Sequence, residues 1–125
     1  MQLCNPPYIY AVMYDPTMSR YIAALGNGAI CTIKRKDLKI SQYVEVHGQR
    51  IVDAVLGKPN DGNALLVTAS NDLSLGLSTY NTTTHKIETR AKVQIAEAPN
   101  AIMLVQNAIY VADTGNDINR IVIKY

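Results

Sequence analysis

The sequence repeats itself, and this restricts its fold more than any other feature, because a repeat buries its apolar face mainly against its neighbours. Three segments stack: Tyr21-Ile22-Ala23-Ala24-Leu25-Gly26-Asn27-Gly28, Leu65-Leu66-Val67-Thr68-Ala69-Ser70-Asn71-Asp72 and Ala108-Ile109-Tyr110-Val111-Ala112-Asp113-Thr114-Gly115. Each is an apolar run ending in a tight polar turn, and they recur about every 44 residues. That period suits units of four short strands.

Within each period, β-rich runs alternate with turn residues, with no helical spacing of apolar positions. The second unit predicts strands at Ile51 to Leu56, Ala64 to Ala69, Ser74 to Thr79 and Ile87 to Ile95. The first predicts Ile9 to Tyr14, Tyr21 to Leu25, Ala29 to Lys34 and Ile40 to Val46. The third offers Ala101 to Val105, Ala108 to Ala112 and Asn119 to Lys124, one strand fewer. The expected fold is all-β: three four-stranded antiparallel propeller blades at about 5–46, 47–95 and 96–125, the last one strand short. Residues 1–125 would then form a partial propeller, an open arc whose missing blades come from upstream sequence or another chain.

In the second unit, His47-Gly48 precedes the first strand, Ile51 follows it, Ser70 closes the second strand and Asp72 occupies the turn. This arrangement resembles the WD-repeat (WD40-type) family of β-propellers. The resemblance implies a buried hydrogen-bond relay among His47, Ser70 and Asp72. An imidazole and a carboxylate are tolerable in a protein interior when each satisfies the other. The family's Trp would fall at Ser78, so the relay is incomplete, and the first and third units lack the His. The function implied is a non-catalytic scaffold for other proteins, as an adaptor or substrate receptor of a cullin-4 ubiquitin ligase. The Trp-Asp-x-Arg signature often used for that docking is replaced by Ser78-Thr79-Tyr80-Asn81. Ile109 to Asn116 followed by Arg120-Ile121 also resembles an NHL repeat, a different propeller unit and an alternative binding module.

Chemistry is otherwise sparse. Asp113, Asn116 and Asp117 are the only hint of a cation site, as a propeller hydrolase with a central metal would need, and Asp is a common turn former. His85 sits beside Lys86 in a polar hairpin, where an exposed ring is expected. Neither catalysis, a metal nor a cofactor is expected, and an inactive fragment is the remaining alternative. The net charge of +2 comes from scattered Lys and Arg. The one cluster, Lys34-Arg35-Lys36 with Lys39, reads as a solvated strand end, so no nucleic-acid partner is expected. Apolar runs are too short for a membrane helix, no secretory leader is visible, and Cys4 and Cys31 lack metal-ligand spacing. A cytoplasmic or nuclear setting is expected, with other proteins as partners. The loops that enter blades and follow second strands share one end of the fold, which singles out Tyr8, Gln49, Arg50, Asn71, Asn100 and Asp117 for protein binding.

Overall fold

The computed structural model describes residues 8–123. The start of the first expected blade at residues 5–7, Cys4 and the expected end of the last strand at Lys124 lie outside the described residues. Among the described residues, eleven strands form three antiparallel sheets. The first sheet is β1 (Ile9–Tyr14), β2 (Arg20–Leu25), β3 (Ala29–Lys34) and β4 (Ile40–Glu45). The second is β5 (Ile51–Leu56), β6 (Asn63–Ser70), β7 (Ser74–Asn81) and β8 (Ile87–Gln94). The third is β9 (Pro99–Val105), β10 (Ala108–Asp113) and β11 (Ile118–Val122). Each sheet is a meander in chain order, as hairpin connections of a few residues dictate. The all-β architecture of three blades, the last one strand short, is as the sequence led us to expect.

The blades pack face to face, with β1 beside β5 and β5 beside β9. Side chains alternate between the two faces of a strand, so every blade has two apolar faces to cover. Ile22, Ala24 and Ile30 of blade 1 meet Ile51, Leu66 and Tyr80 of blade 2 in one core. The opposite face of blade 2, through Val67, Ala69 and Leu75, meets Ile102, Ile109 and Val111 of blade 3 in a second. Two polar staples tie backbone across these seams. The Gln42 amide exchanges two hydrogen bonds with the backbone of Ile87, at 3.3 and 3.1 Å, and Asp53 Oδ2 accepts the Ile102 N–H at 2.9 Å.

Register corrects one detail of the repeat. Ala24 pairs with Ile30 before the loop 26–28, whereas Ser70 pairs with Ser74 around the loop 71–73. The residue structurally equivalent to Ser70 is therefore Leu25, the last of β2, and not Gly26. A slip of one residue exchanges the two faces of a strand, so Ala23 stands where Thr68 does. The third loop residue has positive φ in both turns, at Gly28 (φ 91°) and Leu73 (φ 65°). At Gly28 glycine is also required sterically, since a Cβ there would lie 2.1 Å from the carbonyl oxygen of His47.

Candidate functional site

The loops β2–β3, β4–β5, β6–β7, β8–β9 and β10–β11 gather at one end of the arc, and the buried polar residues of blade 2 lie just beneath them. His47 arrives from the β4–β5 loop, fixed by its own N–H and that of Val46, both donated to the Gly28 carbonyl. Its ring enters blade 2 opposite Gly76, where a Cβ would stand 3.0 Å from Nε2 and 2.5 Å from Thr68 Oγ1. His47 Nδ1 lies 3.0 Å from Asp72 Oδ2 and 3.0 Å from Ser74 Oγ, and Nε2 lies 2.7 Å from Thr68 Oγ1. Burial pushes the ring below its ordinary pKa range and the Asp72 hydrogen bond and charge offset this only in part, so at neutral pH the imidazole is uncharged. These partners fit one tautomer: Nδ1–H donates to Asp72, and Nε2 accepts from the Thr68 hydroxyl.

Asp72 is the hub. Burial acts to raise its pKa, but the hydrogen bond from Ser74, the charge that His47 takes up in acid together with its hydrogen bond, and the charge of Lys92 outweigh it, leaving the carboxyl at about 2. Ser74 Oγ donates to Oδ1 at 2.6 Å, Gly48 N–H to Oδ2 at 3.3 Å and Lys92 Nζ approaches Oδ2 at 3.4 Å. Ser70 meets the group through the backbone: its hydroxyl donates to the Gln49 carbonyl and accepts the Asp72 N–H, both at 3.1 Å. His47 and Asp72 are thus in direct contact, Ser70 locks the two loops that present them, and Thr68 and Ser74 complete a set that the motif alone did not name. A register-correct stacking of the strands would have found both, since Thr68, Ser70 and Ser74 share one face.

Above this group opens a cleft of about 390 Å³, built by all three blades: Tyr10 from blade 1, Arg50, Val52 and Asn71 from blade 2, and Asn100 and Thr114 at blade 3. Arg50 lies over the Tyr10 ring, 4.9 Å from its centroid, and reaches the phenol oxygen at 3.3 Å. That stacking holds an exposed guanidinium in place while leaving most of its donors free. Of the six residues singled out from the sequence, Arg50, Asn71 and Asn100 meet in this cleft. Tyr8, exposed, gives its carbonyl to Gly26 N–H at 2.7 Å on the blade 1 side. Gln49 contributes its carbonyl to the Ser70 lock, and Asp117 lies in the β10–β11 turn away from the cleft lining. Tyr10 was not foreseen, because an aromatic on a strand reads as packing.

No protein-family model matches the sequence, and no curated protein matches it significantly. Solved structures do. The WD40 β-propeller domain of Doa1 superposes with a TM-score of 0.74 at 13% identity, over 94% of this chain and 37% of that one. The three sheets have the fold of β-propeller blades. The computationally designed Ika4 protein superposes with a TM-score of 0.61 at 10% identity, over 93% of this chain and 66% of that one. The chain therefore spans well under half of the Doa1 chain it matches.

At Ser78 the second sheet departs from the pattern that the WD-repeat resemblance implies, which would put a Trp there. This residue is fully buried and its hydroxyl has no hydrogen-bond partner among the described residues. The far end of the same seam holds a second polar group. Tyr80 OH donates to Asp15 Oδ2 at 2.5 Å, and His85 Nδ1 lies 3.1 Å from that oxygen and 2.9 Å from the phenol. His85 is thus half-buried against blade 1, correcting the exposed hairpin ring expected from the sequence. Its backbone at φ 62° turns the ring inward, toward an aspartate 70 residues earlier that no local pattern connects to it. Asp113 Oδ1 accepts Gly115 N–H at 2.8 Å and Oδ2 accepts from Asn119 at 2.8 Å, a turn-stabilising arrangement. Among the described residues no cluster of three or more His, Cys, Asp or Glu side chains could hold a metal ion, and no helix is long and apolar enough to cross a membrane.

Proposed function

We propose that the chain is a non-catalytic protein-interaction scaffold that seats a segment of a partner protein in the cleft between Tyr10, Arg50, Asn71 and Asn100. The observation that supports this most is that three blades, far apart in sequence, bring one stacked arginine and two uncommitted amides to a single opening. A rigid framework presenting variable loops is how such folds bind. Arginine over tyrosine supplies oriented donors suited to an acidic or carbonyl-rich peptide.

The finer reading rests on resemblance. The order of elements is similar to the C-terminal three blades of WD repeat-containing protein 53, whose relatives serve cullin-4 ubiquitin ligases as adaptors or substrate receptors. On that reading the chain works inside the cell, with its remaining blades supplied from elsewhere. Tyr80 and Ser78 are buried, and Asn81 caps the β7–β8 turn through Thr83 and Thr84 N–H at 2.8 and 2.9 Å. Docking on a ligase would therefore use a surface other than that end of blade 2. Proximity labelling in cells with the wild type and with an Arg50→Ala, Asn100→Ala variant tests the cleft. A defined group of partners lost in the variant supports it, and identical partner lists overturn it. Co-purification with the ligase adaptor subunit tests the finer reading separately.

A further inference from the structure

At the end of the arc opposite the cleft, the seam between blades 1 and 2 opens into a pocket of about 230 Å³, lined by Arg20, Ser41 and Gln42 of blade 1 and Thr84, His85 and Lys86 of blade 2. Register brings a cation to this seam. Arg20 pairs with Lys34 two residues along from the Ile22 and Thr32 pair, hence on the same face, and Ile22 belongs to the core shared with blade 2. The Arg20 Nε is buried without a hydrogen-bond partner among the described residues, and neither Arg20 nor Lys86 joins an ion pair there. A buried donor with no acceptor is rare in a native fold, and a bound anion is one of the few things that satisfies it. The nearby carboxylates are committed elsewhere. Both oxygens of the buried Asp15 accept, from Thr17 and Ser19 N–H on one side and from Tyr80 and His85 on the other. Asp37 accepts the Lys39 N–H in the β3–β4 turn. Glu88 pairs with Arg90, and register sets it beside Thr79 and Leu65 on the face toward blade 3. Lys34, Arg35, Lys36 and Lys39 surround the β3–β4 turn at this same end, where Arg35 reaches the Met18 carbonyl, so the field around the pocket is positive.

We propose that this pocket binds a phosphate group, as the free ion or as a monoester. A phosphate monoester is close to doubly charged at neutral pH and brings three strong acceptor oxygens, which matches two unpaired cations reaching it from different blades. Arg20 supplies a planar fork of donors and Lys86 a point charge. Ser41 shares one hydrogen bond with Thr32 at 2.8 Å, and Thr84 accepts the Lys86 N–H at 3.4 Å, so both hydroxyls keep capacity for an oxyanion. His85 favours phosphate over a carboxylate or sulfate. Its Nδ1 is taken by Asp15 and Tyr80, so Nε2 is the atom the ring offers the pocket. Phosphate accepts from that nitrogen when the ring is protonated and, as the monoanion, donates its own proton to it when the ring is neutral. Sulfate has no proton to give. At about 230 Å³ the pocket is smaller than the roughly 300–1,000 Å³ of sites for drug-sized ligands, so it suits a terminal phosphate and not the body of a larger molecule.

Calorimetric titration of the whole chain with inorganic phosphate, O-phosphoserine and sulfate, at constant ionic strength, tests the site. The wild type should bind one phosphate per chain saturably. Arg20→Gln should weaken binding about tenfold, the worth of one charge-assisted hydrogen bond, and Arg20→Lys, which keeps the charge and loses the fork, should not restore it fully. Lys86→Gln, at an exposed position, should weaken it about threefold. Lys58→Gln removes the same charge from an exposed position at the seam of blades 2 and 3 and should leave the affinity within about twofold. Circular dichroism checks that each variant folds, and Lys86→Gln carries the test if Arg20→Gln does not. Phosphate should also raise the denaturation midpoint of the wild type and of Lys58→Gln more than that of Arg20→Gln. Phosphoserine bound at least as tightly as the free ion assigns the site to an ester, and phosphoserine excluded while phosphate binds assigns it to the ion. No saturable binding, unchanged affinity in both Arg20→Gln and Lys86→Gln, or an equal loss in Lys58→Gln would overturn the proposal. Sulfate bound as tightly as phosphate would overturn the choice of phosphate.

Discussion

Blades 1 and 2 share one backbone and fill it oppositely. Register sets Ala23, Leu25, Ala29 and Cys31 of blade 1 at the places of Thr68, Ser70, Ser74 and Gly76 of blade 2. In blade 2 these positions surround an imidazole delivered by the preceding loop. In blade 1 they form a small apolar cluster, and residues 1–8 contain no histidine to deliver. Hydroxyls are thus buried where a ring arrives to satisfy them and replaced by methyls and a thiol where none does. The difference follows from the cost of an unpaired buried polar group, about 1–3 kcal/mol each. Gly76 against Cys31 follows the same logic, because the ring takes the space a side chain would use.

The comparison breaks most sharply if blade 2 receives a side chain where blade 1 has one. Gly76→Ala should cost about 3 kcal/mol in chemical denaturation, since the new Cβ meets Thr68 Oγ1, Val46 Cγ1 and His47 Nε2 at 2.5 to 3.0 Å. Cys31→Ala, at the equivalent place, should cost no more than about 1 kcal/mol.

Asp72→Ala should cost about 2 kcal/mol by orphaning the His47 N–H and the Ser74 hydroxyl. Replacing the whole group with apolar residues, His47→Leu with Thr68→Ala, Asp72→Ala and Ser74→Ala, should destabilise less than the single mutants sum to. If the four losses add, the group is not a coupled unit.

Acid should act at both ends of the seam, whereas alkali should act at the Tyr80 end. Burial of Asp15 is outweighed by the hydrogen bonds from Tyr80, Thr17 and the backbone, which hold its carboxyl below the ordinary range. Asp72 and His47 both have folded pKa values below their ordinary ones, so their stabilisation is complete above those values and fades on acidification. The His47 share fades below about 6.5, and the Asp72 share between 3.8 and about 2. Tyr80 is shifted the other way by burial and by its hydrogen bond to Asp15, so its contribution holds below pH 10 and is lost as pH rises beyond it. Denaturation midpoints across pH should show a flattened acid limb in Asp72→Ala and a flattened alkaline limb in Tyr80→Phe. Unchanged limbs would detach these groups from stability.

The smallest effect has the opposite sign. Ser78 stands where blade 1 has Ile33, and its buried hydroxyl is unsatisfied. Ser78→Ala should stabilise the fold by about 1 kcal/mol, read as a higher denaturation midpoint.

Much of this was legible in the chain itself. Alternation of apolar residues, turn residues at regular intervals and the His47, Ser70 and Asp72 spacing are local signals, and they carried the eleven strands, the three blades and the short last blade. Strand bounds shifted by one or two residues, as at Arg20 and Asn63, where ladder pairing extends past the apolar run. Arg50, Asn71 and Asn100 were nameable because loops at one end of a meander converge whatever their sequence.

Pairing and proximity across blades were decided only in three dimensions. The one-residue offset between blades 1 and 2 depends on where the hairpin ladder closes around Gly28, which fixes the face each side chain takes. The choice of Thr68 as second partner of His47 depends on that face. Asp15, Tyr80 and His85 meet because two blades pack, and Tyr10 reaches Arg50 for the same reason. A sequence specifies period and polarity along the chain, while which polar groups satisfy one another across a seam is set by the packing that removes water from between them.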